Sequence, residues 1–376
     1  MKKVLVPKVR FKGFGEEWKE DTIGNIANIT NGKLDANAMV KSGMYNFYTS
    51  GIDVYKIHKY SFEGEGISIA GNGVNMGYMH LVSGKYNAYQ RTYILNNIKI
   101  DRHFLFYNLW KNFWEFCQKN TREGSIPYLL YNDISDFKIF KSHSNEQQKI
   151  GKLLDQISNL ITLEQTKLNK LKQLKKTLLE KMFPEHNSKK FSRIRFKGFE
   201  REWKEEKLDD IFKVITGGEP PKNYKNSKHP VGKYKYPIYS NGQEANAIWG
   251  FSDNYSINTE AITISSIGTI GFPVVRKMFF TPIIRLKTLL PYNKSMNINF
   301  LNLSVSQINF SFNQAGIPSM NSNQLKDNII LISRNFSEQQ KIGDFFCKID
   351  TLLDLYNSKL NKLKQIKEAL LQKMFV

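Results

Sequence analysis

From Ile150 to Met182 apolar side chains recur at steps of three and four, through Leu153, Leu154, Ile157, Leu160, Ile161, Leu168, Leu171, Leu174 and Leu178. No proline interrupts Glu146–Phe183, and its only glycine is Gly151. That spacing lays one apolar stripe along a helix, with Glu164 interrupting it near the centre. The pattern returns at Ile342, Phe345, Ile349, Leu352, Leu360, Leu363, Ile366, Leu370 and Met374. At about 1.5 Å per residue, each 38-residue run reaches roughly 57 Å. Elsewhere the period shortens to two. Ile67-Ser-Ile-Ala and Ala261-Ile-Thr-Ile-Ser alternate as half-buried strands do, and Asn31-Gly32, Ser42-Gly43 and Gly217-Gly218 mark turns. The aromatic-rich stretch Phe104–Cys117 predicts a short helix packed on a sheet.

The chain repeats itself. Val9–Ile26 returns as Ile194–Ile211 with 10 of 18 positions identical, and Glu146–Phe183 returns as Glu338–Phe375 with 22 of 38 identical. Two matches in the same order, at offsets of 185 and 192, define an internal duplication. Between them the copies diverge around echoes such as Tyr45–Gly51 with Tyr236–Gly242, Ile67–Tyr78 with Ile262–Phe272, and Gly124–Ile134 with Ala315–Leu325. A shared framework with unlike residues between fits two related scaffolds that present different surfaces.

The predicted order is a globular domain over 1–145, a long helix over 146–183, a linker over 184–193, a second domain over 194–337 and a second helix over 338–376. The fold class is α+β: two mixed α/β domains, a pair of long antiparallel coiled-coil helices, and an internal pseudo-twofold repeat. A helix with one apolar seam needs a partner. Its own duplicate is the economical one, with another protein's coiled coil as the alternative. The expected seam is Ile157, Leu160, Leu168, Leu171 and Leu178 against Ile349, Leu352, Leu360, Leu363 and Leu370. Antiparallel pairing would put the domains at opposite ends of a rod.

Charge adds a class of partner. The net charge is +21, carried as +11 up to Lys190 and +10 beyond, as two polyanion-facing domains would carry it. Two distant cysteines, Cys117 and Cys347, exclude a disulfide scaffold and suit a reducing compartment. No secretory leader and no apolar run of 18 residues is present, so the expectation is a cytoplasmic protein without a membrane partner.

Val-Arg-Phe-Lys-Gly-Phe at Val9, its return at Ile194, and the Glu-Gln-Gln-Lys-Ile-Gly openings at Glu146 and Glu338 carry a resemblance. Together they resemble the specificity subunit of bacterial Type I restriction–modification systems, over essentially the whole chain. The resemblance implies two target recognition domains, each reading one half of a gapped double-stranded DNA sequence. It also implies helices that dock two methyltransferase subunits, and motor/nuclease subunits in the restriction complex. S-adenosylmethionine, ATP and Mg2+ would act in those partners. With both domains and both helices present, the half-length variant that must dimerise is not expected.

The chain's own chemistry agrees with a non-catalytic, cofactor-free role. It has no phosphate loop, its six histidines at 58, 80, 103, 143, 186 and 229 form no ligand set, and Gly71–Gly77 departs from the dinucleotide fingerprint. Candidate DNA-binding residues are the cations and amides of the divergent segments. They are Asn72, Asn75, Lys85, Gln90, Arg91, Arg102 and Arg122 in the first domain. In the second they are Asn241, Gln243, Asn246, Arg276, Lys277, Arg285 and Asn313. Each has a structural alternative: Asn72, Asn75 and Asn241 shape turns, while Arg91 and Arg285 pair with a carboxylate. Arg10 and Arg195 belong to the repeated framework and are read as fold or phosphate contacts, and Trp18 and Trp203 as core anchors. The competing function is a non-catalytic RNA-binding or adaptor protein, against which stands the absence of RNA-module signatures.

Overall fold

The computed structural model describes residues 5–119, 126–184, 192–242, 247–314 and 316–376. Backbone contacts divide the chain into two compact units, one running up to Thr166 and including Asn357–Val376, the other Lys167–Tyr356. Each unit therefore holds one globular domain and a part of both long helices.

In the first unit an antiparallel sheet runs in the order Asn28–Asn31, Thr92–Asn96, Gly66–Ala70, Met79–Val82. A second sheet runs Val54–Ile57, Tyr45–Tyr48, Lys85–Ala88, Phe62–Glu63, with its middle pair parallel. The aromatic-rich stretch is a helix, Arg102–Lys119. Its Leu105, Leu109, Phe113 and Cys117 repeat at steps of four and pack on Ile67, Ile69, Met79 and Leu95, the inward positions of the strands. Burial pushes the Cys117 thiol up to about 12, whereas Cys347 lies exposed on the second long helix. A maleimide is therefore expected to label the folded chain promptly at Cys347, and at Cys117 roughly a hundredfold or more slowly unless denaturant is added. Prompt labelling of both thiols would refute a closed core.

The second unit repeats the plan. Its antiparallel sheet is Phe212–Thr216, Lys287–Pro291, Ala261–Ser265, Gly271–Arg276. Its mixed sheet is Tyr224–Lys225, Ile248–Ser252, Tyr236–Tyr239, Thr281–Pro282. The covering helix is shorter here, Ile298–Val305, and sets Phe300, Leu301, Leu303 and Val305 in a core with Ile262, Ile264 and Leu289.

The long helices are Ser144–Met182 and Phe336–Met374, of 39 residues each. They pair antiparallel within each unit. In the first unit Ile150 and Leu154 share a cluster with Leu371 and Met374, and Lys359 Nζ reaches Glu164 Oε1 at 2.9 Å. In the second unit Met182 and Phe183 share a cluster with Ile342 and Phe346, and Lys175 pairs with Asp350. Ile157, Leu168, Ile349 and Leu360 are buried, and Leu171, Leu178, Leu363 and Leu370 partly so. Leu160 and Leu352 are corrections to the expected seam: they lie 45% and 44% exposed. On the first helix Ile157, Ile161 and Glu164, not Leu160, are the covered side chains of these turns. Glu164 itself, read from sequence as an interruption, is buried in the stripe at 2% exposure and held by Lys359.

The Glu-Gln-Gln-Lys-Ile-Gly opening clamps each domain to its helix. Glu146 takes a two-pronged bond from Arg10 at 2.8 and 2.7 Å, and Glu338 from Arg195 at 2.6 and 2.9 Å. Gln147 accepts from Asp101 N and donates to Ser142 O; Gln339 does the same with Asn297 N and Ser333 O. A Cβ at Gly151 would collide with Asp101 and Phe104, and one at Gly343 with Asn297 and Phe300. Close approach explains a glycine that costs about 1 kcal/mol of helix propensity. Trp18 packs on Phe104 and Phe375, and Trp203 on Phe300 and Phe183, so both tryptophans are core anchors at helix ends.

Candidate nucleic-acid interface

In each unit three backbone segments meet at one end of the antiparallel sheet. In the first unit a tight turn, closed by Thr92 N donating to Tyr89 O at 2.8 Å, presents Gln90 and Arg91. Gly71 N donates to Arg91 O, which ties in the hairpin between Gly66–Ala70 and Met79–Val82. Gly73 N donates to Pro127 O and Leu129 N to Gly71 O, which adds the segment Ile126–Leu129. These pieces surround a recess of about 280 Å³ lined by Asn31, Gly71, Gln90, Arg91, Tyr93 and Leu129, with no acidic residue among them.

The second unit builds the same frame from other residues. Leu286 N donates to Ile283 O, closing the turn that presents Ile284 and Arg285. Ser266 Oγ donates to Arg285 O, Gly268 N to Pro318 O, and Met320 N to Ser266 O. Strand register matches Asn31 with Tyr93 in one unit and Thr216 with Lys287 in the other, so the two backbone frames correspond. Ile284 and Arg285 have φ of 50° and 59°, a left-handed conformation that costs a non-glycine residue roughly 1 kcal/mol or more. Asn241 holds it, donating from Nδ2 to Ile284 O and accepting at Oδ1 from Ser266 N.

The profile of the Type I restriction modification DNA specificity domain matches this chain twice, over residues 15–173 and 200–365. The chain belongs to the Type I restriction–modification specificity family. It is 32% identical over 160 residues to the EcoDI specificity subunit of Escherichia coli, a match spanning 43% of this chain and 35% of that relative. A putative type I specificity subunit of Mycoplasma pneumoniae is 28% identical over 85% of this chain and 86% of its own length. The crystal structure of a Type I specificity subunit from M. genitalium shares the fold, with a TM-score of 0.74 over 99% of each chain at 19% identity. Sequence-specific DNA recognition is the role of this family.

On the specificity-subunit frame the candidate residues separate by exposure and partner. Gln90, Arg91, Lys277 and Arg285 are exposed, and neither guanidinium group has a hydrogen-bond or ion-pair partner among the described residues. Lys85 is exposed too, with its amine 4.6 Å from the centre of the Tyr60 ring. Asn313 is exposed and pairs its backbone with Ser319. Asn72 and Asn75 are half-buried in the hairpin, Asn72 accepting from Ser50 Oγ and the Asn75 carbonyl accepting from Tyr78 N. Asn241 is a buttress for the Arg285 turn. Arg102 is held by Glu65 at 3.1 Å and by Val82 O at 2.8 Å. Arg276 is buried, its guanidinium 3.9 Å from the Tyr239 ring centre and its Nε on Thr263, and burial lowers its pKa. Arg122, Gln243 and Asn246 lie outside the described residues.

Sequence reasoning passed over Lys287. Its buried amine donates to Thr216 Oγ1 at 3.0 Å and Ser322 Oγ at 2.9 Å. Burial, and then the charge of Arg285, lower its pKa. Its only signal in the sequence was a lysine at an inward strand position. Among the described residues no group of three or more His, Cys, Asp and Glu could hold a metal, and no helix is long and apolar enough to cross a membrane.

Proposed function

We propose that this specificity subunit reads double-stranded DNA in two half-sites, one per unit, through the tips built around Arg91 and Arg285. One observation carries the reading. The two arginines occupy equivalent turns, stand exposed without a partner among the described residues, and are surrounded by residues that differ between the copies. Phosphate contacts position a protein on duplex DNA, whereas a free guanidinium in the major groove reads guanine through O6 and N7. Arg91 acts beside Gln90, Asn31 and Tyr93; Arg285 acts beside Ile284, Thr216 and Lys287. Different neighbours on one frame encode different half-sites. Two methyltransferase subunits and motor/nuclease subunits are the proposed partners, with S-adenosylmethionine, ATP and Mg2+ acting in them.

Methylation mapping of the complex assembled with its methyltransferase partners tests the reading. Arg91→Ala is expected to weaken binding about 5- to 150-fold and relax one position in one half of the mapped motif. Arg285→Ala should do the same in the other half. Unchanged motifs in both variants would refute the assignment.

A further inference from the structure

Two isoleucines protrude beside side chains that differ between the two units. Ile126 and Ile317 are 71% and 72% exposed, although branched aliphatic residues are among those most often covered. Each precedes a proline of the shared frame, Pro127 accepting from Gly73 N at 2.8 Å and Pro318 from Gly268 N at 2.9 Å. Three residues further along, Leu129 N and Met320 N fasten the same segment to Gly71 O and Ser266 O. Gly71 and Ser266 in turn hold the carbonyls of Arg91 and Arg285, at 2.8 and 2.7 Å. Each isoleucine thus stands on backbone pinned to the turn that presents the free arginine.

Around them the copies have diverged. Val74 corresponds to Thr269, Tyr128 to Ser319, and Gln90 to Ile284. A side chain that encoded one half-site would differ between the copies as these do. The isoleucine is the same in both, so its work is common to both halves. Packing is not that work, because the side chain is exposed.

We infer that Ile126 and Ile317 are apolar wedges, one in each half-site, that press into a base step of duplex DNA and partly unstack it. The inference rests on the Arg91 and Arg285 tips being the DNA-binding surface. Two guanidinium groups without a partner among the described residues, the first beside a recess with no acidic lining, draw the phosphate backbone onto the tips. An aliphatic side chain carried there meets base edges, and apolar wedges at base steps kink and unstack duplexes. Steps differ in deformability far more than in whether an aliphatic group can enter them, so one residue type serves two different sequences. A modification made on a base requires that base to leave the stack, and prior unstacking lowers that cost.

The test places 2-aminopurine at successive positions of the mapped target, the modified base excepted, and adds the complex of this chain with its methyltransferase partners. Wild type is expected to raise the fluorescence at one step in each half-site. Ile126→Ser should lose the signal in the first half alone and Ile317→Ser in the second alone, with the mapped motif unchanged and methylation about tenfold slower. Ile→Leu at either position should keep the signal. Signals that persist in both Ser variants would overturn the wedge. So would a Ser variant that relaxes one base of the motif, which would make the isoleucine a reader of a thymine methyl group. Failure of the DNA-binding reading is distinguishable: it would appear as unaltered binding in Arg91→Ala and Arg285→Ala, whatever the isoleucine variants do.

Discussion

Leu168→Asp and Leu360→Asp are each expected to destabilise the chain by about 5 kcal/mol or more, enough to abolish most folded protein. The two leucines are 2% and 4% exposed and hold equivalent places on the two long helices. Truncating a buried leucine costs about 2–5 kcal/mol through lost burial and the cavity left behind. A carboxylate in its place adds the cost of an unpaired buried charge, since Lys359, the cation beside Leu360, already engages Glu164. The control is as informative as the variant. Leu160→Asp and Leu352→Asp change the same residue type on the same helices, at positions exposed by nearly half, and should cost roughly 1 kcal/mol or less. Denaturant unfolding of all four variants decides the matter. Equal losses at 160 and 168 would mean that the apolar face has been placed wrongly.

Glu338→Ala and Glu146→Ala should each cost about 3–5 kcal/mol, because removing one partner of a buried ion pair strands the other. Glu146 and Glu338 have no exposed surface, and the arginine side chains facing them are 10% and 13% exposed. Both bonds are two-pronged, and Ser333 Oγ adds a third to Glu338. The pairs join residues 136 and 143 positions apart, so their loss should detach each domain's first strand and loop from the start of its long helix. The larger loss is expected at Glu338, whose replacement also leaves the Ser333 hydroxyl without its acceptor. Replacing both partners at once, as in Arg195→Met with Glu338→Met, should recover much of the stability, since the cost lies in the unpaired charge and not in the absence of the pair. Calorimetry of the single and double variants measures this. A single Ala variant within about 1 kcal/mol of wild type would show that the charge is not buried in solution.

These tests depend on features of unequal legibility. Local periodicity carried the two long helices, because a step of three and four residues describes a helix face without knowledge of what covers it. Identity at two nearly equal offsets carried the duplication, and with it the expectation that Arg10, Arg195, Trp18 and Trp203 serve the framework, as their contacts with Glu146, Glu338, Phe375 and Phe183 bear out. Alternation placed the strands Gly66–Ala70 and Ala261–Ser265 but misjudged their burial: both are covered at every position and neither is half-buried, because the sheet is closed on both faces.

The binding surface was legible only as a list of residue types. Arg91, Arg102, Arg276 and Arg285 look alike in sequence, each a lone arginine of the segments in which the copies diverge. Arg102 ends on Glu65, 37 positions away, and Arg276 over Tyr239, 37 positions away, while the guanidinium groups of Arg91 and Arg285 meet no partner among the described residues. Whether a cation is free depends on what the fold brings within about 4 Å of it, and no periodicity encodes that. Asn241 became a buttress for the same reason, since Ile284 and Ser266 reach it only through the sheet. Leu160 and Glu164 exchanged their expected places because a seam on a straight helix is narrower than its apolar count suggests. The sequence by itself determined the repeated elements and their apolar faces, which follow from local geometry. The tertiary structure decided which polar side chains remain unpaired at the two tips, because pairing is a matter of distant neighbours.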